Sequence, residues 1–335
     1  MLREDSRVSP LELFFDLVFV LALTQCTALM ADDPTWEGLG TGLLVLAVLW
    51  WSWSGYAWLT STVNPEEGAV RVVIFLAMAA FLVVSLCVPE AFDEAATLFV
   101  VAYAVVRYAH LGLYALASRG DPMLGRSVAF LAATSSVAIG LLAAASATDG
   151  ALQAALWGAA IVLDFGGPYF FGVEGWRIVP GHFAERFGLI VIIALGESIV
   201  AIGAGVEGDV DAGVVAAATL GMAVAAALWW LYFDVVALVA ERRLADAAPG
   251  REQNSMAQHS YAYLHLPMVA GIVLIALGMK KTLGDVSEPL KDVPAVAMLG
   301  GASLYLLAHV AFRWRSLHTL NRQRLVGAGV VLAVI

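Results

Sequence analysis

Charged residues are scarce in this chain of 335 residues, and cysteine is nearly absent. Charged side chains make up 14% of the sequence, whereas a typical soluble domain has about 25%. The net charge is -10 at pH 7 and no basic run occurs, which argues against a nucleic-acid partner. The two cysteines, Cys26 and Cys87, lie inside apolar runs and are predicted to be core residues, not a disulfide or metal framework.

What the chain has in abundance is apolar sequence, with 61% hydrophobic residues and a mean hydropathy of +0.84. A helix that crosses a membrane needs about 20 apolar residues. Segments of this kind are predicted at 11–30, 37–59, 70–88, 95–117, 126–147, 151–172, 183–205, 212–240, 257–279 and 293–312. A last apolar run begins near Leu325, and the chain as given is expected to stop inside that helix. The predicted fold is all-α, a polytopic membrane helix bundle of about 11–12 transmembrane helices.

Basic residues at the segment boundaries predict the orientation of the chain. They alternate with boundaries that have none, and the exception is the ninth loop, with Lys280, Lys281 and Lys291. The basic boundaries contain Arg3 and Arg7; Arg71; Arg119 and Arg126; Arg177 and Arg186; Arg242, Arg243 and Arg251; and Arg313, Arg315, Arg322 and Arg324. The positive-inside rule then places the N-terminus in the cytoplasm. Because Glu12 and Asp16 interrupt the first apolar run, we interpret it as a retained helix and not as a cleaved signal peptide.

A weak internal repeat divides the sequence into two halves. Residues 12–25 align with residues 184–197. Later spans correspond as well: Trp50-Trp51 resembles Trp229-Trp230, and Tyr103 with Arg107 resembles Tyr305 with His309. The predicted domains are residues 1–172, a first six-helix transmembrane half, and residues 173–335, a parallel second half truncated in or after its eleventh helix. The alternative is a chance alignment of similar apolar helices.

Ionisable residues inside the spans are the best functional candidates, because a charge in hydrocarbon is costly and is usually paired or faces a cavity. Glu12 and Asp16 lie on one face of the first span, Glu12 near its start and Asp16 deeper. Asp164 precedes Gly166-Gly167-Pro168 in the sixth span, where the glycines and proline are expected to disturb the helix. Asp16 and Asp164 are interpreted as ion or substrate ligands, or alternatively as a structural ion pair or helix-end residues. Glu12 is expected to have a motif or gating role.

The fourth span has one polar stripe, formed by Tyr103, Arg107, His110 and Tyr114 at helical spacing. Arg107 needs a carboxylate partner on another helix, for which Asp16 and Asp164 are the candidates. The stripe is predicted to contribute Arg107 and His110 to an ion or substrate site. The alternative is an ion pair that only fixes helix packing.

The seventh span contains the densest set of ionisable residues. His182, Glu185 and Arg186 lie at its start, where a motif or gating role is expected, and Glu197 follows in apolar sequence near the midplane. Arg186 and Glu197 are eleven residues apart and so lie close to one face. Glu197 is predicted to bind an ion or substrate. His182 and Glu185 have no zincin pattern, so neither a metal nor a cofactor is expected.

Two of these motifs resemble one family. Glu12-Leu-Phe-Phe-Asp-Leu-Val-Phe-Val and His182-Phe-x-Glu-Arg-Phe-Gly-Leu, which continues to Gly196-Glu197-Ser198, resemble the bacterial low temperature requirement protein A (LtrA) family. The resemblance covers essentially the whole chain in order, length and helix pattern. It implies a multi-pass protein of the bacterial inner membrane that is linked, by the family's name, to stress response and growth in the cold. It supplies no activity and no catalytic residues.

We therefore expect a secondary transporter of an unidentified small solute or ion. Coupling to protons is one option. The lipid bilayer is the expected environment, with a homo-oligomer as one option and no nucleic acid as partner. One alternative is a cation channel, because Phe14-Phe15-Asp16 weakly resembles a potassium-channel motif, although its spacing from Arg7 departs from that motif. The other is a membrane-embedded lipid-acting enzyme, but no nucleophile elbow, paired metal ligands or phosphate loop occurs, so enzyme activity is not expected.

Overall fold

The computed structural model describes residues 7–171 and 174–334, and these residues form helices and loops without a strand. In hydrocarbon every backbone polar group must be bonded internally, and a helix does this within one segment. The helices are α1 (Pro10–Asp32), α2 (Trp36–Thr62), α3 (Gly68–Cys87), α4 (Ala96–Ala117), α5 (Pro122–Ala145), α6 (Gly150–Phe171), α7 (Pro180–Gly205), α8 (Ala212–Phe233), α9 (Val236–Asp246), α10 (Arg251–Met256), α11 (His265–Gly284), α12 (Asp292–Leu317) and α13 (Arg322–Leu332).

Ten helical segments among the described residues are long and apolar enough to cross a membrane, which confirms the all-helical, polytopic prediction. Two details differ from the sequence-based spans. The eighth span is two helices, α8 and α9, and a π-helical turn over Ala257–Tyr263 precedes α11. The last apolar run, which begins near Leu325, lies in α13, a helix with 11 described residues.

Several helices begin at residues that satisfy their first backbone N–H groups. Proline occupies the first position of α1, α5 and α7, where the missing N–H would have had no helical partner. Asp121 accepts from the N–H groups of Met123 and Leu124 at the start of α5. Asp211 caps α8 in the same way, through the N–H of Val214. The boundaries of these spans are therefore encoded locally.

The chain forms two compact units. The first comprises Met1–Gln25, Leu43–Glu185 and Ala247–Ser255, and the second Cys26–Gly42, Arg186–Asp246 and Met256–Ile335. In the first unit α3 packs along α4, and α5 along α6. Its aromatic core includes Phe15 against Tyr56 and Phe19 against Trp53, with ring centroids 4.7 and 5.9 Å apart. Cys26 and Cys87 are buried free thiols, as predicted.

In the second unit α11 packs along α12 through two glycines. A Cβ atom at Gly271 would lie 2.6 Å from the carbonyl oxygen of Gly301, and a Cβ at Gly301 would lie 2.6 Å from that of Gly271. Only residues without a side chain permit this backbone approach, as in other membrane helix pairs. The outward faces of both units are apolar: Val162 is 73% exposed and Trp230 63%, which suits contact with lipid acyl chains.

Candidate functional site

A buried ionic network in the first unit joins α4, α5 and α6. Arg107 Nη2 lies 3.1 and 3.0 Å from the two carboxylate oxygens of Asp164 and 2.6 Å from Ser135 Oγ. The Ser135 hydroxyl in turn donates to Asp164 Oδ1 over 2.7 Å. Arg107 is 1% exposed and Asp164 4%. Of the two partners considered for Arg107, the structure therefore selects Asp164.

The position of Asp164 depends on the sequence of α6. Helix α6 continues through Gly166-Gly167-Pro168 to Phe171, so the expected disturbance does not break it. Pro168 removes one helical N–H, the one that would have bonded the Asp164 carbonyl, and the helix ends three residues later at Phe171. Gly167 lets α6 approach α5 closely, since a Cβ there would lie 2.8 Å from Thr134 Oγ1. This approach places Asp164 within reach of Ser135.

A small cavity lies beside Asp164. Its walls include Asp164, Tyr103, Trp51 and Phe165, and its space for a water centre is about 10 Å³, which is room for roughly one water molecule. Trp51 stacks on Phe165 with ring centroids 4.2 Å apart. The carboxylate thus has Arg107 and Ser135 as partners and also lines a space in which a water could exchange protons with it.

His110 lies one helical turn from Arg107 on the same stripe of α4. Its Nε2 lies 3.0 Å from the carbonyl oxygen of Gly55 on α2, so this nitrogen carries a proton, because a carbonyl can only accept. Its ring packs against Tyr56 and, edge-on, against Tyr114. Gly55 provides the room, since a Cβ there would lie 3.2 Å from the imidazole and 3.3 Å from Arg107 Nη1. His110 therefore positions α4 against α2 next to the ionic network.

Asp16 lies in a different environment from the Arg107 network. It is 1% exposed, and its Oδ1 accepts the indole N–H of Trp53 over 2.9 Å. Trp53 itself is fully buried among aromatic rings, including Phe19 and Trp50. The tryptophan cluster of α2 thus supplies a hydrogen-bond donor to the deeper carboxylate of α1.

Glu12 links the starts of α1 and α7. Its Oε2 accepts from the backbone N–H and the hydroxyl of Ser9, at 2.8 and 2.9 Å. Its Oε1 lies 2.7 Å from His182 Nε2. Ser9-Pro10-Leu11-Glu12 is a capping box, in which the serine and glutamate satisfy each other's helix-start donors. Both Glu12 and His182 are buried, so this contact between helix starts is shielded from solvent.

The remaining candidates of α7 are Glu185, Arg186 and Glu197. Glu185 is exposed, and its carboxylate accepts from the backbone N–H of Val8 over 3.1 Å. Arg186 and Glu197 belong to the second unit, where each is 1% exposed. Next to Glu197, the Ser198 hydroxyl donates to the carbonyl of Leu195. The structure thus brings Arg107, His110 and Asp164 together and pairs Glu12 with His182.

Sequence reasoning missed three contributors to these contacts, two of which left a readable signal. Ser9 stands three residues before Glu12, which is the spacing of a capping box. Ser135 belongs to Thr134-Ser135-Ser136, a run of hydroxyl residues inside an apolar span. Trp53 had no signal, because nothing in a tryptophan cluster indicates which indole N–H meets a carboxylate on another helix.

Comparison with known proteins agrees with the motifs. The profile of the bacterial low temperature requirement A protein (LtrA) family matches residues 7–335. An uncharacterized protein of Rhizobium meliloti (strain 1021) is 29% identical over 346 aligned positions, which cover 98% of this chain and 83% of that protein. No solved structure matches the chain.

Proposed function

The chain belongs to the bacterial low temperature requirement A family of multi-pass membrane proteins, and we propose that it is a secondary transporter that couples an anionic solute to protons. One observation carries the proposal, namely the ion pair between Arg107 and Asp164 inside the membrane-spanning part of the first unit, at the edge of a small cavity.

The coupling follows from the cost of an unpaired charge. While Asp164 is ionised, it neutralises Arg107. If Asp164 takes up a proton, Arg107 becomes a buried cation without its counter-charge, which is strongly unfavourable in hydrocarbon. An anion that binds Arg107 at that moment restores neutrality. Proton and anion therefore bind together and leave together, and no net charge remains on the empty site.

Other candidates have supporting roles in this mechanism. Asp16 and Glu197 are buried carboxylates in spans α1 and α7 and are the further proton acceptors that we propose. The contact between Glu12 and His182, with Glu185 and Arg186 next to it in sequence, is the proposed gate at the helix starts. The location that we propose is the bacterial inner membrane with a cytoplasmic N-terminus, from the alternation of basic loops.

The test is transport in liposomes that contain the purified protein and a pH-sensitive dye. A potassium-diffusion potential or a pH gradient is imposed, alone and with a panel of small anions such as phosphate, sulfate and carboxylates. Wild type is compared with Asp164→Asn and Arg107→Gln. The matched control is Asp93→Asn, which changes an exposed aspartate in the loop between α3 and α4.

We expect one or more anions to drive proton flux in wild type and in Asp93→Asn, and at least a tenfold lower flux, about 1.4 kcal/mol of barrier, in both network variants. Flux that persists in Asp164→Asn would remove this carboxylate from the coupling. Discrete current steps in planar bilayers would indicate a channel. Folded wild-type protein that moves no protons with any anion of the panel would contradict the proposal.

A further inference from the structure

The junction between α12 and α13 in the second unit concentrates arginine side chains. Arg313 Nε donates to Thr319 Oγ1 over 3.1 Å. Arg324 Nη2 donates to the backbone carbonyl of Leu231 at the end of α8 over 2.9 Å, and its Nη1 contacts the ring of His309. These bonds hold each guanidinium in place from one side and leave its other N–H groups available.

Among the described residues, no ion pair neutralises the charges of these arginines. Arg313 lies close enough to Arg324 for the two positive charges to repel each other. Within the described residues, no carboxylate forms an ion pair with Arg313, Arg322 or Arg324. Arg107, by contrast, is paired with Asp164. Holding two like charges together costs free energy unless an anion is bound between them.

The start of α13 increases the positive potential at this place. Arg322 and Arg324 occupy its first turn, which contains no acidic residue. The first turn of a helix carries partial positive charge and unbonded N–H groups, so cations are unfavourable there and anions favourable. Asn321 satisfies the N–H of Arg324. The charges in this first turn are therefore opposite in sign to those that would stabilise the helix.

The location of the arginines suits a lipid headgroup. The cluster lies at the end of α12, a membrane-spanning helix, and headgroups surround the ends of such helices. Trp314 is 57% exposed beside Arg313, and Leu320 and Val326 are 60% and 64% exposed nearby in sequence. An exposed tryptophan at a helix end is typical of the headgroup level, and the apolar side chains suit an acyl chain.

We propose that Arg313, Arg322 and Arg324 bind the phosphate of an anionic phospholipid headgroup at the start of α13. The site is separate from the Arg107 network and does not depend on the transport proposal. Bound lipid would bridge α12 and α13 and offset the repulsion between the arginines. Basic clusters at the ends of membrane helices bind anionic lipid in this way.

The test is lipid titration of the detergent-solubilised full chain, followed by native mass spectrometry. Phosphatidylglycerol is compared with phosphatidylcholine for wild type, for Arg313→Gln and for the double variant Arg313→Gln/Arg324→Gln. The control, Arg119→Gln/Arg126→Gln, makes the same change in net charge at exposed arginines of the first unit. A further titration with inorganic phosphate separates a lipid site from a site for free phosphate.

We expect wild type and control to retain phosphatidylglycerol in preference to phosphatidylcholine. Each lost arginine should weaken binding about fivefold, and the double variant about twenty-fivefold, from roughly 1 kcal/mol per basic residue. Arg313→Gln keeps the Arg324 bonds, so its result stands even if the double variant unfolds. Equal retention of both lipids by wild type, equal losses in control and double variant, or full displacement of lipid by phosphate would overturn the proposal.

Discussion

The basic side chain of α4 and its sequence counterpart in α12 have opposite electrostatic surroundings. Arg107 follows Tyr103 by four residues and meets the carboxylate of Asp164. His309 follows Tyr305 by four residues and meets a second basic side chain, Arg324. Both positions are buried. The same short pattern thus accompanies a neutralised charge in the first unit and an excess of positive charge in the second.

The difference shows that two spans with the same short pattern do not share its chemistry unless they also share its partners. Ser135 and Asp164 come from α5 and α6, and within the described residues no carboxylate forms an ion pair with His309. The tryptophan pairs diverge as well: Trp51 is 8% exposed against Phe165, whereas Trp230 is 63% exposed. The first unit therefore contains the candidate transport site, and the second the candidate lipid site.

The largest expected effect comes from breaking the neutralised pair. Arg107→Ala or Asp164→Ala leaves one buried charge without its partner and should destabilise the protein by about 3–5 kcal/mol. Replacing both, as Arg107→Met/Asp164→Leu, should cost much less, because neither charge remains. Unfolding in mixed micelles of increasing sodium dodecyl sulfate measures both. A loss in the double variant equal to the sum of the two single losses would mean that the pair carries no coupling.

His309→Ala tests the corresponding basic position of the second unit. It removes no counter-charge, so it should cost less than Arg107→Ala in the same unfolding experiment. A larger loss for His309→Ala than for Arg107→Ala would contradict this comparison between the two units.

Substitutions at closely packed glycines are expected to have smaller effects on stability, and each unit offers one such glycine. Gly301→Ala places a Cβ 2.6 Å from the backbone oxygen of Gly271, which cannot move aside, and should cost about 1–3 kcal/mol. Gly167→Ala meets the side chain of Thr134 and not backbone, and should cost less. Gly300→Ala is the control, since nothing lies within 4 Å of its Cβ. Thermal unfolding of the three variants should follow this order.

The smallest expected effect concerns one hydroxyl in each unit. Tyr56 OH donates to the Val106 carbonyl and Tyr305 OH to the Leu228 carbonyl, at 2.9 and 2.8 Å. Tyr56→Phe and Tyr305→Phe should each lower stability by about 1 kcal/mol. Tyr108→Phe, at an exposed hydroxyl, should lower it by less. A clear inequality between the first two would mean that these matching bonds support the two units differently.

Much of the architecture could be predicted from the sequence because its causes are local. Twenty or so apolar residues make a helix that spans hydrocarbon, whatever its neighbours are. The predicted spans therefore coincide with helices of the structure to within a few residues, as for α4 and α7. The main error was at Gly166-Gly167-Pro168, where a disturbed helix was expected but α6 continues to Phe171. Local propensity is a weak guide there because tertiary packing overrides it.

The sequence by itself determined that this protein is a helical membrane protein, that it belongs to its family, and which ionisable residues lie in its spans. Those properties depend on composition, spacing and motif, which are present in the linear chain. Only the tertiary structure decided that Arg107 meets Asp164 and not Asp16, that Trp53 meets Asp16, and that Glu12 meets His182. Partners on different helices depend on helix rotation and packing, and these are set by the contacts of the whole fold.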